Sequence, residues 1–279
     1  MIPMLPIPVL LFPGFDPVLV QVGPLAIRWY ALAYIGSLVL GWRIMRRLVL
    51  LSPPVATQEQ TDDFLTWATL GVVLGGRLGY VLFYQPLHYL QNPLGAFAVW
   101  QGGMSFHGGV LGVVTALVIY CRRERIPLLG FADRLAVVVP IGLGFGRVAN
   151  FINGELWGRI APDWLPWAMI FPAAGPEPRH PSQLYQAGME GLLLLVVLSL
   201  LCRNPAVRSR FGTLTGVFLI GYGIARIIGE TFRQPDAFLG FLVAGATMGQ
   251  LLSLPMILAG IWLVARARPV AAPAPSLAE

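Results

Sequence analysis

The chain has 279 residues, of which 56% are hydrophobic and only 11% are charged. Soluble domains average about 25% charged residues, so this composition excludes an ordinary soluble globule and predicts a helix bundle in a membrane. The net charge of +6 is spread between apolar runs, which disfavours a nucleic-acid-binding protein and favours contact with anionic lipid headgroups.

The first predicted element is the apolar, proline-rich segment 1–24. It has neither a basic n-region nor a small-residue cleavage site, so it is not typical of a signal peptide. We expect an irregular segment or a short helix that lies at the membrane interface.

Seven apolar runs then predict an all-α integral membrane protein. They are Leu25–Ile44, Phe64–Tyr84, Phe106–Cys121, Leu135–Asn153, Leu184–Cys202, Thr213–Phe232 and Phe241–Val264. The third run is short enough for a tilted span or a re-entrant turn. In the second run, Gly71, Gly75 and Gly79 recur every fourth residue, which predicts close approach of a neighbouring helix.

The arginines predict the orientation of these spans. Twelve of them follow alternate spans and meet on one side: Arg43, Arg46, Arg47, Arg122, Arg123, Arg125, Arg134, Arg203, Arg208, Arg210, Arg266 and Arg268. By the positive-inside rule that side is the cytoplasm, with the N-terminus outside and the C-terminus inside. The other seven lie in spans or on the outer side and ask for a local explanation: Arg28, Arg77, Arg147, Arg159, Arg179, Arg226 and Arg233.

Two further segments complete the predicted organisation. The outer connection 154–183 is the longest and carries three tryptophans, which suit the headgroup layer, so we expect a small extracytoplasmic head. Residues 269–279 are rich in proline and alanine and are expected to form a disordered cytoplasmic tail. The spans and the head together make one transmembrane domain, 25–268.

The two cysteines and three histidines predict no metal or disulfide chemistry. Cys121 and Cys202 each end an apolar run beside an arginine, so both are expected at the cytoplasmic boundary. The histidines and cysteines show no spacing typical of metal ligands. We expect no metal and no organic cofactor.

A polar stretch ends the fourth span. Arg147, Asn150, Asn153 and Glu155 fall within nine residues, and ionisable groups at membrane depth persist mainly where they line a cavity or bind something. Arg147, Asn150 and Gly154 are three or four residues apart, so they share a face while the helix lasts.

A second charged stripe ends the sixth span. Tyr222, Arg226, Glu230 and Arg233 fall within ~80° on a helical wheel, and such a stripe must face the interior of the bundle. An Arg–Glu pair that holds helices together would explain part of it. We favour a functional stripe, because one pair leaves an arginine over.

Four other features have structural interpretations, and two of them, His107 and Arg77, also have an alternative. His107 opens the third span among glycines, and it is either a proton acceptor or a neutral histidine bound to the backbone. Arg28-Trp29-Tyr30 has the composition of an interfacial anchor, and His180–Tyr185 that of a helix start with Ser182 as a polar cap. Arg77, among glycines, is either a buried pair partner or a lipid contact.

Six polar or ionisable residues come from three spans and lie toward the outer half in this topology: Arg147, Arg226, His107, Asn150, Glu155 and Glu230. An arginine-rich cavity binds phosphate well through paired charge-assisted hydrogen bonds, so an anionic phospholipid is the expected ligand. A transporter or flippase for such a lipid is the alternative to an enzyme, although the chain shows no pair of matching halves with broken helices. An intramembrane hydrolase is a third class, and no nucleophile–base motif favours it.

The stretch around Arg147 resembles the signature of the bacterial prolipoprotein diacylglyceryl transferases, Gly-Arg-x-x-Asn-Phe-x-Asn-x-Glu-x-x-Gly. The fixed residues are Gly146, Arg147, Asn150, Phe151, Asn153, Glu155 and Gly158. Residues 102–109, 180–185 and 222–236 also match the family's patterns, and about nine-tenths of the chain, 13–268, can be laid along the family. The resemblance implies transfer of the diacylglyceryl group of phosphatidylglycerol to the lipobox cysteine of a prolipoprotein in the bacterial inner membrane, with the active site toward the outer leaflet.

The resemblance also implies site residues. In the family, the residues matching Tyr30 and His107 are functional, and the residue matching Arg226 binds substrate. We expect Arg147 and Arg226 to hold the lipid phosphate and His107 to act as the base for the substrate thiol. The remaining expectations are Glu155 and Glu230 as orienting carboxylates and Asn150, Asn153, Gly158, Tyr222 and Arg233 as substrate-binding residues.

Overall fold

The computed structural model describes residues 9–23, 25–235, 240–242 and 245–270. The chain divides into two compact units. The first unit contains 1–41 and 135–279, and the second contains 42–134.

Helices dominate the described residues. They are α1 (Trp29–Leu48), α2 (Gln58–Phe83), α3 (Pro86–Gln91), α4 (Phe106–Arg123), α5 (Leu128–Ile152), α6 (Ser182–Gln186), α7 (Leu194–Arg203), α8 (Pro205–Arg208), α9 (Thr213–Phe232) and α10 (Met248–Arg266). A π-helical segment, Ala187–Leu193, joins α6 to α7 in one continuous helix. Short 3-10 helices lie at Pro93–Phe97, Val99–Gln101 and Pro172–Ala174. The strands are β1 (Leu10–Leu11), β2 (Val18–Val22), β3 (Leu25–Arg28), β4 (Met169–Ile170) and β5 (Pro178–Arg179).

In the described part of the chain, five helices are long and apolar enough to cross a membrane. They are α2, α5, the continuous helix Ser182–Arg203, α9 and α10. The predicted class, a mostly helical membrane protein, is therefore confirmed. Helices α1 and α4 occupy the first and third predicted spans, but each ends in a pair of arginines and neither belongs to these five.

The capping residues predict where helices begin better than the ends of the apolar runs do. Helix α9 coincides with the predicted span, whereas α10 begins at Met248 and not at Phe241, because Thr247 forms a capping box with Gln250. The same device starts α2 at Gln58, before the predicted Phe64.

The predicted beginning of the first span is wrong. Leu25–Arg28 is β3, which pairs antiparallel with β2, and the turn between them includes Gly23 with a positive φ. The alternating valines of Val18–Val22 favour a strand over the irregular segment or short helix that the proline content suggests. Residues 1–8 of that segment lie outside the described residues.

The connection 154–183 supplies two strands of a small three-stranded sheet. Its strand β4 pairs antiparallel with β5 and parallel with β1 of the N-terminal segment. The ring of Phe12, one residue after β1, packs on Phe151 and Phe171 at centroid distances of 5.5 and 5.3 Å. The N-terminal segment is thus part of the head.

The structure also describes the start of the C-terminal tail and the glycine motif of α2. Val270 donates its backbone N–H to the Ser209 carbonyl, and the rest of the predicted disordered tail, 271–279, lies outside the described residues. The predicted close approach at α2 is confirmed, since a Cβ at Gly71 would lie 2.7 Å from the carbonyl oxygen of Gly112 in α4.

Candidate functional site

Close packing of two helices in the first unit builds the centre of the site. A Cβ on Gly191, in the π-helical segment, would lie 2.6 Å from the Cα of Gly144 in α5. Only glycines permit this approach, and it brings the next residues of both helices together. Arg147, one turn after Gly144, donates from Nε to Oε2 of Glu190 at 2.9 Å.

Glu190 is fully buried, at 0% exposure. Its second oxygen, Oε1, lies 3.9 Å from Nη1 of Arg226 and makes no hydrogen bond. The sequence motifs do not single out Glu190. It is nevertheless a lone carboxylate inside the apolar run Leu184–Cys202, and such a residue indicates a functional site. A π-helical turn, which often marks a functional site, carries it.

Arg226 lies between two carboxylates. Its Nη2 contacts Oε1 of Glu230 at 2.7 Å, and its Nη1 donates to Oε1 of Gln186 at 3.2 Å. The same Glu230 oxygen accepts from Nη1 of Arg233 at 3.3 Å. The predicted stripe on α9 is therefore an ion-pair network, in which Glu230 binds two arginines. Tyr222, one turn before Arg226, stacks on Phe218 at 5.9 Å.

The start of α10 closes one side of this network. A Cβ at Gly249 would lie 3.0 Å from both Nε of Arg226 and Cδ of Glu230, so only a small residue fits there. A small cleft of about 30 Å³ opens beside the network. The residues that line it are Arg226, Glu230, Arg233, Pro235, Gly240, Thr247, Met248 and Gly249.

The arginine cluster (Arg147, Arg226 and Arg233 with Glu190 and Glu230) is a set of ion pairs between guanidinium groups and buried carboxylates of the described chain. Within the described residues, Arg147 is bound through Nε, and its two terminal nitrogens make no hydrogen bond. A guanidinium held by Nε presents a free fork that fits a phosphate or carboxylate. The cluster can therefore bind an anion.

A second polar group adjoins the end of α5. Asn150 donates from Nδ2 to Oε1 of Glu155 at 2.8 Å and lies 3.4 Å from the hydroxyl of Tyr30. Asn153 reaches the same Glu155 oxygen at 3.5 Å. The structure thus brings four predicted site residues of the first unit into one hydrogen-bonded group.

Backbone contacts fix the loop that follows. The Gly158 N–H donates to the His180 carbonyl at 3.0 Å, and a Cβ on Gly158 would overlap that oxygen. This contact gives Gly158 a structural reason to be glycine. Burial lowers the pKa of His180, whose ring packs on Phe232 at a centroid distance of 5.2 Å.

The interpretation of Ser182 as a helix cap is wrong. Pro181 is the N-cap of α6, and no side chain caps it. Ser182 instead donates to the Leu156 carbonyl at 3.1 Å, and Gln183 donates to the Glu155 carbonyl at 2.7 Å. Both side chains hold the loop that carries Glu155.

The second unit contains two residues singled out by the sequence. His107 is exposed at the start of α4, with its ring 5.7 Å from that of Phe106. Arg77 is 5% exposed, and in the described chain its partners are backbone carbonyls rather than a carboxylate or lipid. They are the carbonyls of Gly95, Ala96, Gly102 and Gly103.

Known proteins match this chain over nearly its whole length. Residues 17–266 match the family model described as prolipoprotein diacylglyceryl transferase. A protein of Gluconacetobacter diazotrophicus named phosphatidylglycerol–prolipoprotein diacylglyceryl transferase is 63% identical over 96% of this chain and 98% of its own length. Proteins of the same name from Acidiphilium cryptum and Paramagnetospirillum magneticum are 61% and 60% identical, over 94% and 92% of this chain and 96% and 95% of their own lengths.

Proposed function

Since the chain belongs to the prolipoprotein diacylglyceryl transferase family, we propose that it transfers the diacylglyceryl group of phosphatidylglycerol to the lipobox cysteine of prolipoproteins. The cysteine sulfur bonds to the glycerol carbon, and the bond from that carbon to the phosphate oxygen breaks. Glycerol 1-phosphate leaves with the bonding electrons, and the thiol proton passes to a base. The products are a thioether-linked prolipoprotein and glycerol 1-phosphate.

The observation that carries this proposal is the free fork of Arg147, which shares the carboxylate of Glu190 with Arg226. Displacement at the carbon next to a phosphate ester places developing negative charge on the departing phosphate. Donors that are already oriented toward that charge stabilise the transition state without a cost of reorganisation. Arg147 and Arg226 would bind the phosphate, and Arg233 would adjust the position of Glu230.

The remaining roles are assigned by chemistry. A thiol attacks as its thiolate, and His107 is the proposed base because its imidazole is exposed at the start of α4 and histidine is the most frequent general base. Glu155 would orient Asn150, Asn153 and Tyr30 toward the glycerol headgroup, supported by their contacts with one another. Tyr222 would line the lipid site, and Gly158 would keep the loop close enough for these contacts.

The membrane arrangement belongs to the same proposal. Seven spans, with the N-terminus outside, would put the arginine cluster in the outer half of the bacterial inner membrane. The clustering of twelve arginines after alternate helices supports this orientation. The prolipoprotein would then meet the lipid in the outer leaflet, with residues 154–183 above them.

One experiment separates a transferase from a lipid transporter. Purified protein in detergent receives phosphatidylglycerol with a labelled diacylglyceryl group and a lipobox peptide, and mass spectrometry detects the thioether. We expect thioether formation with release of glycerol 1-phosphate. Bound lipid without thioether, together with transbilayer movement of phosphatidylglycerol in proteoliposomes, would overturn the transferase and favour the transporter.

A further inference from the structure

Glu190 touches both arginines that the proposed reaction needs. One carboxylate oxygen accepts from Arg147 at 2.9 Å, and the other lies 3.9 Å from Arg226. The carboxylate is fully buried and its Oε1 makes no hydrogen bond. Burying a charge with an unsatisfied oxygen is costly. The cost indicates that the negative charge itself serves the site.

The two phosphates that the cluster would meet differ in charge. Glu190 places a negative charge beside Arg147 at 2.9 Å and Arg226 at 3.9 Å. Phosphatidylglycerol is a phosphodiester with a single negative charge, whereas glycerol 1-phosphate is a monoester with a charge of roughly −1.5 to −2 at pH 7. A cluster without Glu190 would hold the monoester product far more tightly.

We propose that Glu190 is a positioning and specificity-determining residue that sets the charge of the phosphate site. It holds Arg147 by Nε, so that the terminal nitrogens face the lipid phosphate. Its negative charge also opposes retention of dianionic monoesters, so that the product leaves. The inference rests on the proposed function for the identity of the product, and on the structure alone for the preference between monoester and diester anions.

Anion binding tests this inference without turnover. The dissociation constant of glycerol 1-phosphate and that of dimethyl phosphate, a monoanionic diester, are measured on the full chain in detergent. Removing one buried charge at ion-pair distance should make Glu190→Gln bind glycerol 1-phosphate about tenfold more tightly or better, with a smaller gain for dimethyl phosphate. Glu190→Asp keeps the charge and should stay near the wild type.

Two further variants control for the position of the charge change and for failure of Glu190→Gln to fold. Glu177→Gln makes the same change at an exposed position in the head and should leave both constants unchanged. Gln186 lies 3.2 Å from Arg226, so Gln186→Glu adds a carboxylate to the cluster and should weaken glycerol 1-phosphate binding. This opposite sign tests the charge even where Glu190→Gln does not fold.

The outcomes separate the two proposals. Unchanged or weaker monoester binding by folded Glu190→Gln, or an equal gain in Glu177→Gln, would overturn the role of Glu190. Tighter monoester binding with no thioether formation by the wild type would retain the charge-setting role and reject the transferase. Thioether formation without the shift in monoester binding would do the reverse.

Discussion

Arg77 in the second unit is buried and Arg147 in the first is half-buried, both on apolar helices, and their partners differ. Arg77 donates from Nε, Nη1 and Nη2 to backbone carbonyls between Gly95 and Gly103. Arg147, with a side chain 16% exposed, is held through Nε by Glu190. The Arg77 guanidinium donates four hydrogen bonds to the backbone, whereas that of Arg147 keeps a free fork.

The difference shows why depth in the membrane is an incomplete sign of function. A buried arginine is costly wherever it occurs, but Arg77 offsets that cost by organising the loop before α4. Arg147 offsets it with a single carboxylate and retains donors for a ligand. Sequence identifies both as costly residues, and only the partner atoms distinguish the arginine bound to backbone carbonyls from the one that we propose binds the lipid.

The largest expected effect is on catalysis by the cluster. Arg147→Ala and Arg226→Ala should each lower kcat/KM for diacylglyceryl transfer by about 10³-fold, because each removes a charged donor to the leaving phosphate. Thioether formation is measured under single-substrate saturation, with the thermal midpoint recorded beside it. Substantial activity in either variant would remove the basis for calling Arg147 functional.

His107 should give the next largest loss. His107→Ala removes the proposed base and should slow transfer by about 10²-fold, since positioned general bases contribute 10²–10⁴-fold. The pH–rate profile should lose its histidine-dependent limb. Retention of most activity with an unchanged profile would favour the alternative in which His107 is a neutral, backbone-bound histidine. None of the residues that we propose to react would then belong to the second unit.

A steric change at Gly191 tests the contact between Glu190 and Arg147. Gly191→Ala places a methyl 2.6 Å from the Cα of Gly144 and should shift Glu190 from Arg147. We expect roughly tenfold lower kcat, because small misplacements of catalytic groups cost up to about 10²-fold. Gly188→Ala in the same π-helical segment meets nothing within 4 Å and is the control. Equal losses in both variants would show an effect of helix geometry, not of contact.

Arg77→Ala should produce the opposite pattern to Arg147→Ala. It leaves several carbonyls without a donor, so unfolding should become easier by about 2–4 kcal/mol. Activity per folded molecule should stay close to the wild type. Arg77→Lys should not restore stability, because an ammonium cannot reproduce the planar fork. A loss of specific activity without a loss of stability would make Arg77 functional.

The smallest expected effect is on pH dependence, since the arginines of both regions stay charged. The pKa of His180 is lower in the folded protein than in the unfolded chain. The folded state therefore binds fewer protons, and stability should fall as the pH drops below about 6.5 toward the folded-state pKa. The thermal midpoint is compared at pH 7.5 and 5.5, and His180→Gln should remove a small part of the difference. An identical pH dependence in His180→Gln would exclude this contribution.

Much of the fold and of the candidate site follows from the sequence. The apolar run Thr213–Phe232 is helix α9 as predicted, and the arginine–glutamate stripe on it faces the interior, because charges cannot face lipid. The N-terminal strands could not be predicted, since β1 is set by pairing with β4 about 160 residues later. Glu190 reaches Arg147 through a π-helical turn, which alters the helical period that sequence reasoning assumes.

A structure with phosphatidylglycerol bound would test the central claim most directly. We predict that phosphate oxygens lie within hydrogen-bonding distance of the terminal nitrogens of Arg147 and of Arg226, while Nε of Arg147 stays on Glu190. The Arg77 guanidinium should keep its carbonyl partners. A phosphate bound elsewhere, with the fork of Arg147 turned to other protein groups, would contradict the claim that this free guanidinium is the lipid-binding one.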